Sequence, residues 1–267
     1  MITSTKNPRI QFIRKIQSSS RARRQEKVFV IEGLRLVEES QKAGWRPNLV
    51  LYTEALSDRG QQIIQNFSIK GIDIIRAAPH VMQAASDTQT PQGILAIYPI
   101  QILPNPEEIN FIIILDQIRD PGNLGTILRT AQAAGTDAVI LTPNTVDPFS
   151  PKVIRSAMGA HFNISITRHK WQDIQQLCDS LRLELFLADA SSGQSHLASD
   201  FQGPLGIIIG GEAEGASQEA RNFADQKVQI PMVPGIESLN SAVAAAILMF
   251  EVFRQRRNIQ SPVQKKH

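Results

Sequence analysis

A single cysteine, Cys178, stands in a chain of 267 residues, so no internal disulfide can form and a cysteine-rich zinc site is excluded. A chain so poor in cysteine is expected in a reducing compartment, most simply the cytoplasm. No apolar run approaches the roughly 18 residues of a membrane span. The opening Met1-Ile-Thr-Ser-Thr-Lys6 lacks the apolar core of a signal peptide. Enzyme signatures are missing too. There is no GxxxxGK ending in Ser or Thr, hence no phosphate loop, and no GxGxxG after a strand. GxSxG and HExxH are also absent. His80, His161, His169 and His196 share no ligand spacing, so no metal is expected. Cys178 sits on a patterned helix and reads as packed, not nucleophilic.

What is present is an ordinary globular composition, with length enough for about two domains and a sizeable core. The net charge of +3 conceals an uneven distribution. Residues 1–27 carry +7 and residues 254–267 carry +5, which leaves −9 on residues 28–253. Basic ends around an acidic body point to a polyanion, RNA or DNA ahead of membrane. Arg9, Arg21, Arg23 and Arg24 are the candidate RNA contacts. The last three fall in a polar stretch, 18–24, whose lack of apolar periodicity reads as a mobile loop. The alternative is that both ends are merely solvated.

Residues 7–17 set Ile10, Ile13 and Ile16 at helical spacing. Strands are expected at 29–31, 48–53, 72–75 and 93–98, with helices at 34–43, 59–67 and 81–85. That alternation makes residues 1–98 a small α/β domain. Pro99, Pro104 and Pro106 mark a linker at 99–108. The run 111–115 then suits a parallel strand buried on both faces. Further strands are expected at 138–141, 164–166, 183–188, 205–209 and 228–231, and helices at 124–134, 152–158, 171–181 and 238–256. Residues 109–257 therefore read as a parallel sheet with helices on both faces. Residues 258–267 lack a pattern and are expected to be disordered.

Three polar segments follow apolar strands, where open α/β sheets bind their ligands. The first, 116–131, has turn chemistry in Asp120-Pro121-Gly122, with Asn123 as a candidate helix cap. Arg129 follows nearly two helical turns later, where it is expected to share a face with the helix mouth. An Arg there could grip a phosphate or sit near a reacting hydroxyl, and a capped helix with a surface Arg fits equally well. The second, 209–215, sets Gly210, Gly211 and Gly215 around Glu212 and Glu214. Such glycines suit either close backbone approach to a flat ligand or an ordinary strand-to-helix turn. The third, 230–244, has Ser238 placed to cap a helix, with Asn240 in its first turn. The alanines at 242 and 244–246 make that helix slim enough for tight packing, inside the fold or across a dimer.

Together and in this order, the three segments resemble the signature motifs of the SpoU (TrmH-like) branch of the SPOUT RNA methyltransferases. The resemblance covers residues 109–257. Residues 1–98 are similar to the ribosomal-protein-like α/β substrate-binding domain of rRNA-directed members, through Ser4-Thr-Lys-Asn-Pro8, the basic stretch and Phe29-Val-Ile-Glu-Gly33. The resemblance implies an α/β SPOUT domain with a C-terminal trefoil knot, preceded by that smaller domain. It implies S-adenosylmethionine as cofactor and methyl transfer to a ribose 2′-hydroxyl of RNA, 23S-type rRNA ahead of tRNA. It assigns catalytic positions to Asn123, Arg129, Glu212, Ser238 and Asn240. Cofactor contacts fall on Gly210, Gly211, Ile230, Leu239 and again Asn240. A homodimer through the C-terminal domain is also implied. One departure is that Val233-Pro234 precede Gly235, where the family has one residue between Met and Gly. The competing readings are a tRNA ribose methyltransferase and a non-catalytic RNA-binding protein on the same scaffold.

Overall fold

The computed structural model describes residues 1–103, 108–212 and 215–260, with side chains as far as Arg257. Two compact units emerge, Met1–Gln101 joined by Asp147–Phe162, and the remainder of the described chain.

The first unit begins with α1 (Pro8–Ser18). Asn7 caps it by accepting from the Arg9 N–H, Pro8 occupies the first turn, and Ile10, Ile13 and Ile16 are buried. The loop expected at 18–24 is instead a second helix, α2 (Ser20–Glu26), capped by the Ser19 hydroxyl. Its sequence showed no period because it buries only Ala22 and Arg23. There follow β1 (Val28–Glu32), α3 (Leu34–Lys42), β2 (Leu49–Tyr52), α4 (Asp58–Ile69), β3 (Asp73–Arg76), α5 (Pro79–Ala85) and β4 (Ile94–Pro99). The sheet runs β1-β4-β2-β3, with β4 antiparallel to both neighbours and β2 parallel to β3. One core layer joins the three isoleucines of α1 to Val30, Leu51, Val81 and Leu95. Pro99 of the expected linker is the last residue of β4, where a missing N–H is tolerated. Pro104 and Pro106 lie outside the described residues.

The second unit opens with β5 (Phe111–Asp116), buried along its whole length, then α6 (Pro121–Ala133) and β6 (Ala138–Leu141). The next segment, Asp147–Phe162, was expected within 109–257 but packs with the first unit. It carries α7 (Pro151–Ala157) and a 3-10 turn, Ala160–Phe162. Aromatic packing holds it there: Phe149 and Phe162 lie 5.1 and 6.4 Å from the Phe29 ring, and Trp45 donates to the Phe162 carbonyl. The chain then returns through β7 (Ser165–Arg168), α8 (Trp171–Leu181), β8 (Glu184–Ala188), β9 (Gln194–Ser195), β10 (Leu205–Gly210), α9 (Gln218–Phe223), β11 (Gln226–Gln229) and α10 (Ser241–Gln260). Neither β9 nor α9 was foreseen. All pairings in the sheet β7-β6-β5-β10-β8-β11-β9 are parallel. Cys178 packs on one face with Ile112, Ile114 and Ile208, and burial pushes its thiol up to about 12. Helix α10 packs on α6 and β10. It extends to Gln260, so residues 258–260, expected to be disordered, are helical, while the rest of the tail lies outside the described residues.

Candidate active site

The polar chemistry of the second unit gathers at the C-terminal ends of its strands. Asp116 closes β5 and is fully buried. Its carboxylate accepts from the Thr142 hydroxyl at 3.0 Å and from the Ser217 N–H at 2.7 Å, tying β5 to the end of β6 and to the turn after β10. Gln117 then turns the chain at φ +59 toward α6. The cap of α6 is Asp120, which accepts from the Asn123 N–H at 2.8 Å. Asn123 is therefore not the expected cap. It sits within the first turn, and its side chain is free for other work.

That work is a three-residue network. Asn123 Nδ2 donates to Glu212 Oε1 at 2.7 Å, and Asn240 Nδ2 donates to Asn123 Oδ1 at 3.1 Å. Glu212 also accepts from the Ser241 hydroxyl at 3.2 Å and the Arg119 N–H at 3.4 Å. Burial pushes the Glu212 carboxyl up, but the donors from Asn123, Arg119 and Ser241 outweigh it, so it lies below the ordinary range and stays ionised. Asn240 has a second task. Its Oδ1 accepts from the Ala242 and Val243 N–H groups at 3.0 and 3.3 Å, so Asn240 caps α10. Ser238, expected in that role, lies in the preceding loop, because the helix starts three residues later, at Ser241.

Beside the network lies a cleft of about 500 Å³, well within the usual ~300–1,000 Å³ of small-molecule sites. The candidates Gly210, Gly211, Glu212, Ile230, Ser238, Leu239 and Asn240 all line it. Gly210 has no room for a side chain, since a Cβ there would lie 2.4 Å from the Ala216 nitrogen. At Gly211 a Cβ would lie 2.6 Å from the Gln117 carbonyl oxygen. Both contacts are with the chain's own backbone, so packing of the turn itself requires these two glycines. Ala213 and Glu214 lie outside the described residues. Gly235 adopts φ +91, so the altered loop keeps a conformation that favours glycine. Sequence reasoning missed Asp189, which lines the cleft from the end of β8.

Arg129 does not join the network. Six residues of helix leave it about 120° around α6 from Asn123, so the two do not share a face as expected. It is exposed and makes no hydrogen bond or ion pair among the described residues.

In the first unit the four candidate RNA contacts differ sharply. Arg21 and Arg24 are exposed. Arg9 is half-exposed and paired with Asp73 at 2.8 Å. Arg23 is only 4% exposed. Its Nε meets Asp147 at 2.8 Å, and one terminal nitrogen donates to the carbonyls of Ile16 and Gln17. Arg23 is thus committed to the fold and withdrawn from any phosphate.

A parallel α/β sheet with a glycine-backed cleft and a polar network at its strand ends defines a small-molecule-dependent α/β enzyme class. Residues 110–250 match the SpoU rRNA Methylase family, and residues 7–96 match the MRM3-like substrate binding domain. The chain belongs to the SpoU rRNA methylase family. It is 31% identical over 258 residues to the 23S rRNA (guanosine(2553)-2′-O)-methyltransferase RlmP of Bacillus subtilis, covering 94% of this chain and 98% of that one. Human mitochondrial rRNA methyltransferase 3 is 30% identical, with 93% of this chain and 73% of the relative covered. The AdoMet-bound rRNA methyltransferase from Sinorhizobium meliloti superposes with a TM-score of 0.86 at 29% identity, over 97% of this chain and 98% of that one. AviRb from Streptomyces viridochromogenes, in complex with AdoMet, gives 0.88 at 25% identity, over 94% and 99%. The cofactor of this chain is S-adenosylmethionine. The cleft fits it in size, and Ile230 and Leu239 give it apolar walls against which a flat base can lie.

Proposed function

We propose that this protein methylates a ribose 2′-hydroxyl of ribosomal RNA. The observation that carries the reading is the Asn123–Glu212–Asn240 network at the rim of the glycine-backed cleft, found in a chain of this family. When bound, S-adenosylmethionine supplies an electrophilic methyl group on sulfur. Gly210, Gly211, Ile230 and Leu239 hold it. Glu212 is an ionised acceptor held by Asn123, Ser241 and Arg119, so it fixes the rim, and its lowered carboxyl makes it a weak base for the hydroxyl proton. The guanidinium of Arg129 stabilises the negative charge that builds on the hydroxyl oxygen as its proton leaves to solvent water.

Two copies of the chain complete the site in this reading. Ala242 and Ala245 of the Ala-rich stretch are buried inside the unit. The outer face of α10 carries Val243 and Phe250, 48% and 45% exposed, with Phe253 5.9 Å from Phe250. Their spacing forms an apolar stripe that fits a two-fold pairing, which would bring the unpaired Arg129 to the rim of the other copy's cleft. The 1–98 domain captures the RNA, with Arg21 and Arg24 meeting phosphates. The C-terminal knot, formed by the segments around Gly210–Gly215 and Ile230–Asn240, belongs to the same reading. So does a cytoplasmic location. Separately, among the described residues no helix is long and apolar enough to cross a membrane.

The test is transfer of labelled methyl from S-adenosylmethionine to purified 23S rRNA, 16S rRNA and tRNA, with the modified ribose mapped by its resistance to alkaline cleavage. Label on a 23S ribose is expected. Label confined to tRNA would favour the tRNA alternative, and no label on any RNA the non-catalytic one.

A further inference from the structure

Three walls of the cleft come from the ends of three strands: Ala188–Ala190 at β8, Gly210–Glu212 with Gly215 and Ala216 at β10, and Val228 with Ile230 at β11. One carboxylate joins them. Asp189 Oδ2 lies 3.1 Å from Arg221 on α9 and 3.4 Å from Lys227 on β11. Its Oδ1 accepts from the N–H and the hydroxyl of Ser191 at 2.9 and 2.7 Å. The Asp189 side chain is 6% exposed, while the two cations reach solvent. Backbone links run the same way: the Asp189 N–H donates to the Val228 carbonyl, and Gln229 donates to the Ala190 carbonyl.

Helix α9 is the direct continuation of the glycine turn. Its cap, Ser217, is the residue whose N–H is fixed by buried Asp116. Arg221 reaches back beneath that turn, so that a Cβ on Gly215 would stand 3.7 Å from its guanidinium. The carboxyl of Asp189 is raised by burial but lowered more strongly by Ser191 and Lys227, so it remains charged throughout the physiological range. With both oxygens occupied, it has no need of a ligand.

We infer that Arg221, Asp189 and Lys227 form a positioning cluster that sets the spacing of the cleft walls and thereby the affinity for the adenosyl cofactor. The inference rests on the assignment of this cleft to S-adenosylmethionine. The cluster makes no hydrogen bond to the Asn123–Glu212–Asn240 network, so its effect falls on binding and not on the chemical step. Walls held apart at the bound spacing spare the ligand the cost of ordering them.

Calorimetric titration of S-adenosylmethionine and S-adenosylhomocysteine into the full chain tests this. Arg221→Gln should weaken both ligands about tenfold, as expected for loss of one charge-assisted contact. The KM for the donor should rise by the same factor while kcat at saturating donor is retained, and Arg221→Lys should recover most of the loss. Asp189→Asn leaves two cations around a buried amide and can fail to fold, so the partly exposed Arg221 is the primary site. Unchanged affinities in Arg221→Gln, or a fall in kcat without a change in KM, would overturn the inference while leaving the cofactor assignment intact. Failure of the unmodified protein to bind either ligand would instead overturn the assignment and the inference with it.

Discussion

In the proposed function, the cleft of the second unit and the basic helices of the first would recognise their ligands by opposite means. The cleft uses glycine backbone, neutral amides and the partnered carboxylates of Glu212 and Asp189, with Glu237 an exposed carboxylate on its lining. Helices α1 and α2 display Arg14, Arg21 and Arg24 to solvent. The first device depends on shape and should be nearly indifferent to salt, whereas the second depends on released counterions and should weaken steeply with it. Arg23, next to Arg24 in sequence, shows how sharp the boundary is: one neighbour is a buried strut and the other a surface cation.

The largest effect should come from Arg129→Ala. Methyl transfer should fall about 10²–10³-fold, the usual cost of removing a group that acts on developing charge, with cofactor affinity unchanged by calorimetry. Full activity would remove Arg129 from the mechanism. Next comes Gly210→Ala, which forces a methyl group against the backbone of Ala216. Cofactor binding should weaken about tenfold to a hundredfold, while RNA binding by filter retention stays as it was. Loss of RNA binding would show that the cleft and the basic helices are not independent.

A stability measurement sharpens the contrast within α2. Arg23→Gln strands the Asp147 carboxylate and should cost about 2 kcal/mol in a denaturant titration, below the fully buried case because Asp147 is partly exposed. Arg24→Gln should change stability by less than about 0.5 kcal/mol. Changing Arg21 and Arg24 together to Gln should make the salt dependence of RNA binding shallower by up to about two units in log–log slope. An unaltered slope would mean that these residues are simply solvated. The smallest effect concerns pH. The Glu212 carboxyl is depressed in the fold, so its stabilising contribution is fully present above the unfolded value of about 4.3. It is lost only as pH falls through the lower folded value. Cofactor affinity should therefore be flat from about pH 8 to 5 and decline only below the ordinary carboxylate range, and a decline beginning near neutrality would contradict the assignment.

The buried strands of the second unit were legible because parallel strands covered on both faces are written as unbroken apolar runs, as in β5 and β10, whereas β9 is only two residues long and left no such run. Helix α2 was not, because a short helix that buries an arginine carries no apolar period. The helix caps were misplaced for a related reason. Asp120 and Asn123 are both capping residue types, as are Ser238 and Asn240, and only the position of the first helical turn decides between them. The network members were each visible in the sequence, but their mutual contacts span 89 and 117 residues and no local pattern reveals them. Asp189 was invisible for the same reason, since its partners lie in elements that were missed or shifted, α9 and β11.

Asn240 uses the two ends of one amide for two unrelated purposes: the oxygen marks where α10 begins, and the nitrogen reaches Asn123. The helix start thus acts as a gauge for the site. Were α10 to slip by a single residue, the amide would rotate by about 100° and could not satisfy both partners. An aspartate at this position would keep the gauge mark but turn the reading against the Asn123 oxygen, replacing a donated hydrogen bond with repulsion. Few other side chains can report the register of a helix and hold a polar rim in place at once, which makes this position intolerant of substitutions that a helix cap alone would accept.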